Sequence, residues 1–275
     1  MLPLLTDRLQ IVLAPERVTI VRQGARLKSG ETTSKSSACV APEQGEHAWQ
    51  PVLRALKQLL AENKYGAVNA AITLSNHFVR YQLIKAQPDL ASFDEEQAFV
   101  RFSFSEIYGA EANHWALRWG NGIAIAPQVA SAIDQSLLDQ LEDLLATAGV
   151  KLSSVQPYLM AAFNYVRDFI DVKPHWFVLV ESGSACISFM RNGDWQLLHS
   201  ARLGADWAAD LPRVLGREFQ QVGLIGERSQ MVVCLPGYID PKRLAPENHS
   251  IRLLTMTPEM LVQGAVKPLL ATGFK

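Results

Sequence analysis

The chain has 275 residues, of which 48% are hydrophobic and 19% charged, and its formal net charge is −1. That composition excludes a disordered or fibrous chain, and the length allows one large domain or two ordinary ones. The near-neutral balance excludes a strongly basic field of the kind that holds nucleic acid or an anionic membrane.

The three cysteines, Cys39, Cys186 and Cys234, are odd in number, far apart and never in a C-x-x-C pair. A zinc site or a disulfide framework is therefore not expected, and the usage fits a reducing, cytoplasmic compartment. The N-terminal Met1-Leu-Pro-Leu-Leu5 is too short for a signal peptide, and no run reaches the ~18 apolar residues of a membrane span. Direct membrane insertion is not expected.

Leu9–Ala14, a Pro15-Glu16 turn and Arg17–Gln23 read as an opening β-hairpin. Residues 28–46 are rich in Ser, Thr, Gly and Lys and read as loop with one short edge strand near Cys39. From Ala48 to Asn63 the spacing of Val52, Leu53, Leu56, Leu59 and Leu60 predicts an amphipathic helix. Ala67–Leu74 is a buried-strand pattern, Ser75-Asn76-His77 a turn, and Phe78–Ile84 a strand. Phe93–Tyr108 starts with acidic residues, as a helix N-terminus prefers. His114–Trp119 and Ile123–Pro127 read as strands. Gln135–Gly149 reads as a helix stopped by glycine. Val150–Val155 then returns as a strand, and Tyr158–Ile170 is a largely apolar helix.

A second hairpin follows: His175–Val180, the polar turn Glu181-Ser-Gly-Ser184, and Ala185–Met190. Asn192-Gly193 is a strong hairpin signal, after which Trp195–Ser200 pairs back. Trp207–Val222 is a helix interrupted by Pro212. Gln230–Leu235 and Ile251–Leu254 are strands separated by a Pro236-Gly237 turn. Thr257-Pro258 opens a last helix. The two halves read as unequal repeats of one α/β plan.

Three stretches carry a family resemblance. Ala70–Ile84 (AAITLSNHFVRYQLI) is an alanine-rich strand, a small polar turn and a second strand. Asp94–Tyr108 is an acidic-start helix leading to the Trp115–Trp119 strand. Ile123–Phe169 runs strand, helix, short strand and Ala-Phe helix. In this order they resemble the actin-like assembly proteins of type IV pili (PilM type) and the cytoplasmic domains of their type II secretion counterparts (GspL type). The resemblance implies an α/β, actin-like (ribonuclease H-like) two-lobe fold. The first lobe would cover residues 1–156 with an inserted subdomain at about 74–126, and a shortened second lobe would cover 157–275. It also implies a non-catalytic cytoplasmic scaffold, recruited to the inner membrane through the cytoplasmic tail of a pilus or secretion assembly protein.

Nucleotide-binding members of this fold carry an acid and a glycine in each hairpin. The glycine lets backbone N–H groups approach phosphate, and the acid orients hydrated Mg²⁺. The first hairpin here has neither, and its turn offers a proline with no N–H. The second offers Glu181, Gly183 and Ser184, and Gly237 lies where an adenosine-contacting glycine would sit. A residual ATP and Mg site on these four residues is one reading; an ordinary β-turn and a loop glycine is the other. No cofactor and no metal is the expectation, and ATP hydrolysis is not expected because one phosphate loop lacks its parts. Ser75 and His77 read as turn residues rather than a nucleophile and base. Glu95-Glu96 reads as a helix first turn. Trp115 and Trp119 share one strand face, as core or as part of a docking groove.

Overall fold

A computed structural model describes residues 7–24, 32–63, 65–120, 123, 125–167, 174–222, 229–237, 239–244, 249–263 and 267–271. They separate into two compact units. One is Met1–Val79 with Ile133–Ala161 and Val262–Gly264; the other is Arg80–Ala132 with Ala162–Leu261 and Ala265–Lys275.

The first unit is built on a five-stranded sheet. Its strands are β1 (Arg8–Ala14), β2 (Arg17–Gln23), β3 (Thr32–Ala38), β4 (Val68–Leu74) and β8 (Val150–Pro157), in the order β3-β2-β1-β4-β8. β1 pairs antiparallel with β2 and parallel with β4. The apolar alternation of β1 buries Leu9, Ile11 and Leu13 completely, and Val12 between them is buried as well. A central strand with both faces covered reads as a continuous apolar run. Helices α1 (Gln50–Glu62) and α3 (Gln135–Thr147) pack on this sheet, α1 against β2 and β3 and α3 against β8, and they bury Leu56, Leu59, Leu137, Leu141 and Leu145.

The second sheet repeats the plan. It contains β9 (His175–Glu181), β10 (Ser184–Arg191), β11 (Asp194–Arg202), β12 (Ser229–Leu235), β13 (His249–Thr255) and β14 (Lys267–Ala271), ordered β11-β10-β9-β12-β13-β14. All seven residues of β9 are buried. One face, with Trp176, Val178 and Val180, packs on α5 (Trp207–Val222) through Leu211, Val214 and Leu215. On β9's other face Phe177 meets Phe163 of α4 (Tyr158–Val166), edge to face at 5.5 Å between ring centroids. The buried Glu218 of α5 receives His199 of β11 at 2.7 Å, which ties the helix to the outer strand.

The same unit also holds a three-stranded sheet, β5-β7-β6, made of β5 (Val79–Ile84), β7 (Gln128–Asp134) and β6 (Trp115–Trp119). Helix α2 (Phe93–Tyr108) packs on it through Val100 and Phe104. The Ser92 hydroxyl caps α2 at the Glu95 N–H, and the Glu95 carboxylate accepts from the Ala91 N–H. The carboxylate reaches the N–H one residue before the cap, and Glu95 is first-turn chemistry as read from the sequence.

Three elements depart from expectation. β3 is a full seven-residue edge strand ending just before Cys39; its sequence TTSKSSA is almost entirely exposed, so no apolar pattern announces it. The strand read over Ile123–Pro127 is absent among its described residues. Ile125 is 86% exposed there, and the strand starts at Gln128, after the proline. Proline lacks the N–H a central ladder needs. β14 follows α6 (Pro258–Gln263), which the sequence reading took as the last element. The predicted continuation of the Tyr158 helix to Ile170 lies in part outside the described residues.

Asn192 (φ 57°) and Gly193 (φ 87°) form the β10–β11 turn, and a Cβ at Gly193 would meet nothing within 4 Å. Gly193→Ala therefore tests backbone strain alone, and urea unfolding should show a loss of ~1 kcal/mol. Burial pushes the Cys186 thiol up to about 12 and raises that of Cys234, while Cys39 is raised less drastically, by partial burial and then by Glu16. A disulfide reagent should modify Cys39 alone in the native protein, and the other two only on unfolding. Because the two buried thiols stay protonated above the ordinary value of 9.0, stability should fall as pH rises past it.

Candidate functional site

In open α/β sheets ligands bind beyond the carboxyl ends of the parallel strands. β9 and β12 run parallel, with Leu179 opposite Cys234. Glu181 therefore stands level with Pro236, one residue before Gly237. The fold thus gathers Glu181, Gly183, Ser184 and Gly237, the four residues singled out in the sequence, at one end of one sheet.

Their individual settings differ. Glu181 closes β9 and is 7% exposed. Gly183 has φ 78°, a conformation that favours glycine, and its carbonyl accepts from the Leu203 N–H at 2.9 Å. Ser184 opens β10 opposite Glu181 and is half-buried. Gly237 has an ordinary backbone, and a Cβ there would lie 3.8 Å from the Trp207 ring, in normal contact. Nothing in its backbone or its surroundings requires a glycine.

The corresponding end of the first sheet has the same closure with different chemistry. The Pro15-Glu16 turn offers its Glu16 carbonyl to the Cys39 N–H at 2.9 Å, as Gly183 does to Leu203. In both cases the donor is the first residue after the third strand of the meander. The first turn has no glycine, one proline and no acid in its strand, so it lacks an N–H at Pro15 and the glycine freedom that a phosphate loop uses.

Beside it, the Ser75 N–H donates to the Leu13 carbonyl at 2.9 Å, and Asn76 Oδ1 accepts from the Leu159 N–H at 3.0 Å. Ser75 Oγ lies 3.0 Å from His77 Nδ1 and also caps the His77 N–H at 3.3 Å. The chain turns here in a 3₁₀ segment over Asn76–Phe78, in keeping with the turn read from the sequence, and this brings both side chains to one side. Ser75 is nevertheless fully buried. Its hydroxyl organises the turn, and a nucleophile needs access that this one lacks.

The two tryptophans of β6 are half-buried against the α2 cluster. Trp119 stacks on the exposed Phe93 at 5.3 Å and donates its indole N–H to Glu96 at 3.1 Å. Phe102 (58% exposed) and Ile107 (62%) join Phe93 (66%) as large apolar side chains left open on α2. Sequence reasoning named the tryptophans but not these three, because an α2 read only by its acidic start looks like an ordinary amphipathic helix. Among the described residues no cluster of His, Cys, Asp or Glu has metal-site geometry, and no helix is long and apolar enough to cross a membrane.

No protein-family model matches this chain, and no curated protein matches its sequence. Solved structures do match. A Bacteroides thetaiotaomicron protein of actin-like ATPase fold and unknown function superposes with TM-score 0.57 and 12% identity, over 88% of this chain and 87% of that one. The cytoplasmic domain of EpsL, an inner-membrane component of the Vibrio cholerae type II secretion system, gives 0.55 and 11% over 94% of each chain. A chain of the PilM–PilN type IV pilus biogenesis complex gives 0.55 and 14% over 84% of this chain and 82% of that one. At such identities the likeness speaks for fold alone, and on that evidence the chain has the actin-like fold that its three resembling stretches implied.

Proposed function

We propose that this protein is a non-catalytic scaffold of type II secretion or type IV pilus assembly, acting at the cytoplasmic face of the inner membrane. The subdomain of β5, β6, β7 and α2, inserted in the chain between β4 and β8 of the first sheet, docks the cytoplasmic tail of a membrane-anchored partner. The observation that carries this reading is the first hairpin turn. Pro15 has no N–H, and the strand before it brings no acid, so half of the phosphate-gripping apparatus of the fold is missing. The likeness in fold to the EpsL cytoplasmic domain and to a chain of the PilM–PilN complex supports the pathway. The open Phe93, Phe102 and Ile107 of α2 support a docking role for this subdomain, since each leaves a large apolar side chain available to a partner.

A second reading rests on a specific observation. Glu181, the positive-φ Gly183 and Gly237 share one sheet end, so a nucleotide bound there could serve as a conformational switch.

The scaffold reading is tested by titrating the protein with labelled peptides from the cytoplasmic tails of inner-membrane pilus and secretion proteins of its own host. One tail should bind with roughly micromolar affinity, ordinary for a segment that orders on binding. Phe102→Asp with Ile107→Asp should weaken it ~10-fold or more while leaving the urea midpoint nearly unchanged. Failure of every tail, or binding indifferent to both substitutions, would remove the insert as the docking surface.

A further inference from the structure

In the first unit, α1 and α3 lie side by side and leave a groove of about 650 Å³ between them. From α1 the lining includes Leu53, Lys57, Leu60 and Ala61, which recur at i, i+4, i+7 and i+8 and so form one face of the helix. Leu53 and Leu60 are 6% exposed each. They form a shallow apolar floor with the half-buried Leu144 of α3. One end is fixed by the Glu46–Arg54 ion pair. The lining of α1 runs from Gln50 to Ala61, which at helical rise is roughly 16 Å, or about three turns.

The lips of the groove carry opposite charge. Lys57 stands on the α1 side and Asp143 on the α3 side, and among the described residues neither side chain has an ion-pair partner. A trough of this length, apolar along its floor with one cationic and one anionic lip, is complementary to an amphipathic helix. The helix would have an acidic flank, a basic flank and an apolar stripe between them.

We propose that the α1–α3 groove is a second docking site, for an amphipathic α-helix of another protein. The helix lies along the groove with leucine-like anchors about two turns apart over Leu53 and Leu60. Its acidic flank faces Lys57 and its basic flank faces Asp143. The site is independent of the insert and of any nucleotide, so its fate and that of the scaffold reading are decided separately.

The probe is a capped, fluorescein-labelled 15-residue helical peptide with a Leu stripe at i, i+4 and i+7, Glu along one flank and Lys along the other. A companion peptide carries Lys on both flanks. Anisotropy should show saturable binding of the first peptide and about fivefold weaker binding of the second, the effect of one surface ion pair. Lys57→Glu makes both lips acidic and should reverse that preference. Reversing the peptide along the groove cannot mimic this result. Ala61→Trp, at an exposed position, should fill the groove and weaken binding at least tenfold with the unfolding midpoint unchanged. No saturable binding, equal binding of both peptides to both proteins, or full binding by Ala61→Trp would overturn the proposal. A concentration-dependent dimer in sedimentation that Ala61→Trp dissolves would overturn it too, by giving the groove to a second copy of this chain.

Discussion

A strand that is apolar on both faces must be covered above and below and hydrogen-bonded along both edges. β9 is the clearest case, buried at all seven positions. Leaving any of its buried backbone groups unpaired would cost about as much as a lost hydrogen bond. Its own hairpin supplies one antiparallel edge through β10, and the other edge takes the parallel strand β12. β1 repeats the solution with β2 and β4. Parallel partners need crossover connections, and the helices in those connections become the cover. Most of the architecture follows from placing these two strands at the centre.

The same constraint decides where chemistry can happen. With the strand faces sealed, only the turns and strand ends are open to a ligand. Both meander turns give their second carbonyl to the residue that follows the third strand, Glu16 to Cys39 and Gly183 to Leu203. The turns are thus equivalent in architecture and unequal in what they offer. One has a glycine with φ 78° beside a buried glutamate, and the other has a proline. The fold thus combines an acid with a positive-φ glycine at one of its two turns only. What it presents instead is surface: open aromatic and aliphatic groups on α2, and a trough between α1 and α3.

Much of this was legible in the residues. The Leu56–Leu59–Leu60 stripe, the acidic first turn of α2 and the Asn192-Gly193 turn each follow a local rule with a strong signal, and each stands where the sequence put it. β3 was underread because an exposed edge of Ser, Thr and Lys has no hydrophobic period. β7 was displaced because Ile123 and Ile125 look more strand-like than Gln128–Asp134, whose small Ala130 and Ala132 side chains join the cluster of Val100 and Phe104 without advertising it. At the sheet end, φ 78° at Gly183 suits the turn chemistry read from its sequence, whereas Gly237 has no need to be glycine. The pairing of Ser75 with His77 and the α1–α3 groove depend on how the chain turns and how helices meet, which no single segment encodes.

The central claim is that the fold here serves assembly rather than nucleotide chemistry, and Mg-ATP calorimetry with a parallel thermal melt tests it most directly. The scaffold reading predicts no binding heat and no change in Tm at about 1 mM Mg-ATP. A site with a Kd near 10 μM would instead add ~2.7 kcal/mol and raise Tm by roughly 5 °C. Such a rise, abolished by Glu181→Ala, would contradict the claim and restore the β9–β10 turn as a working nucleotide site.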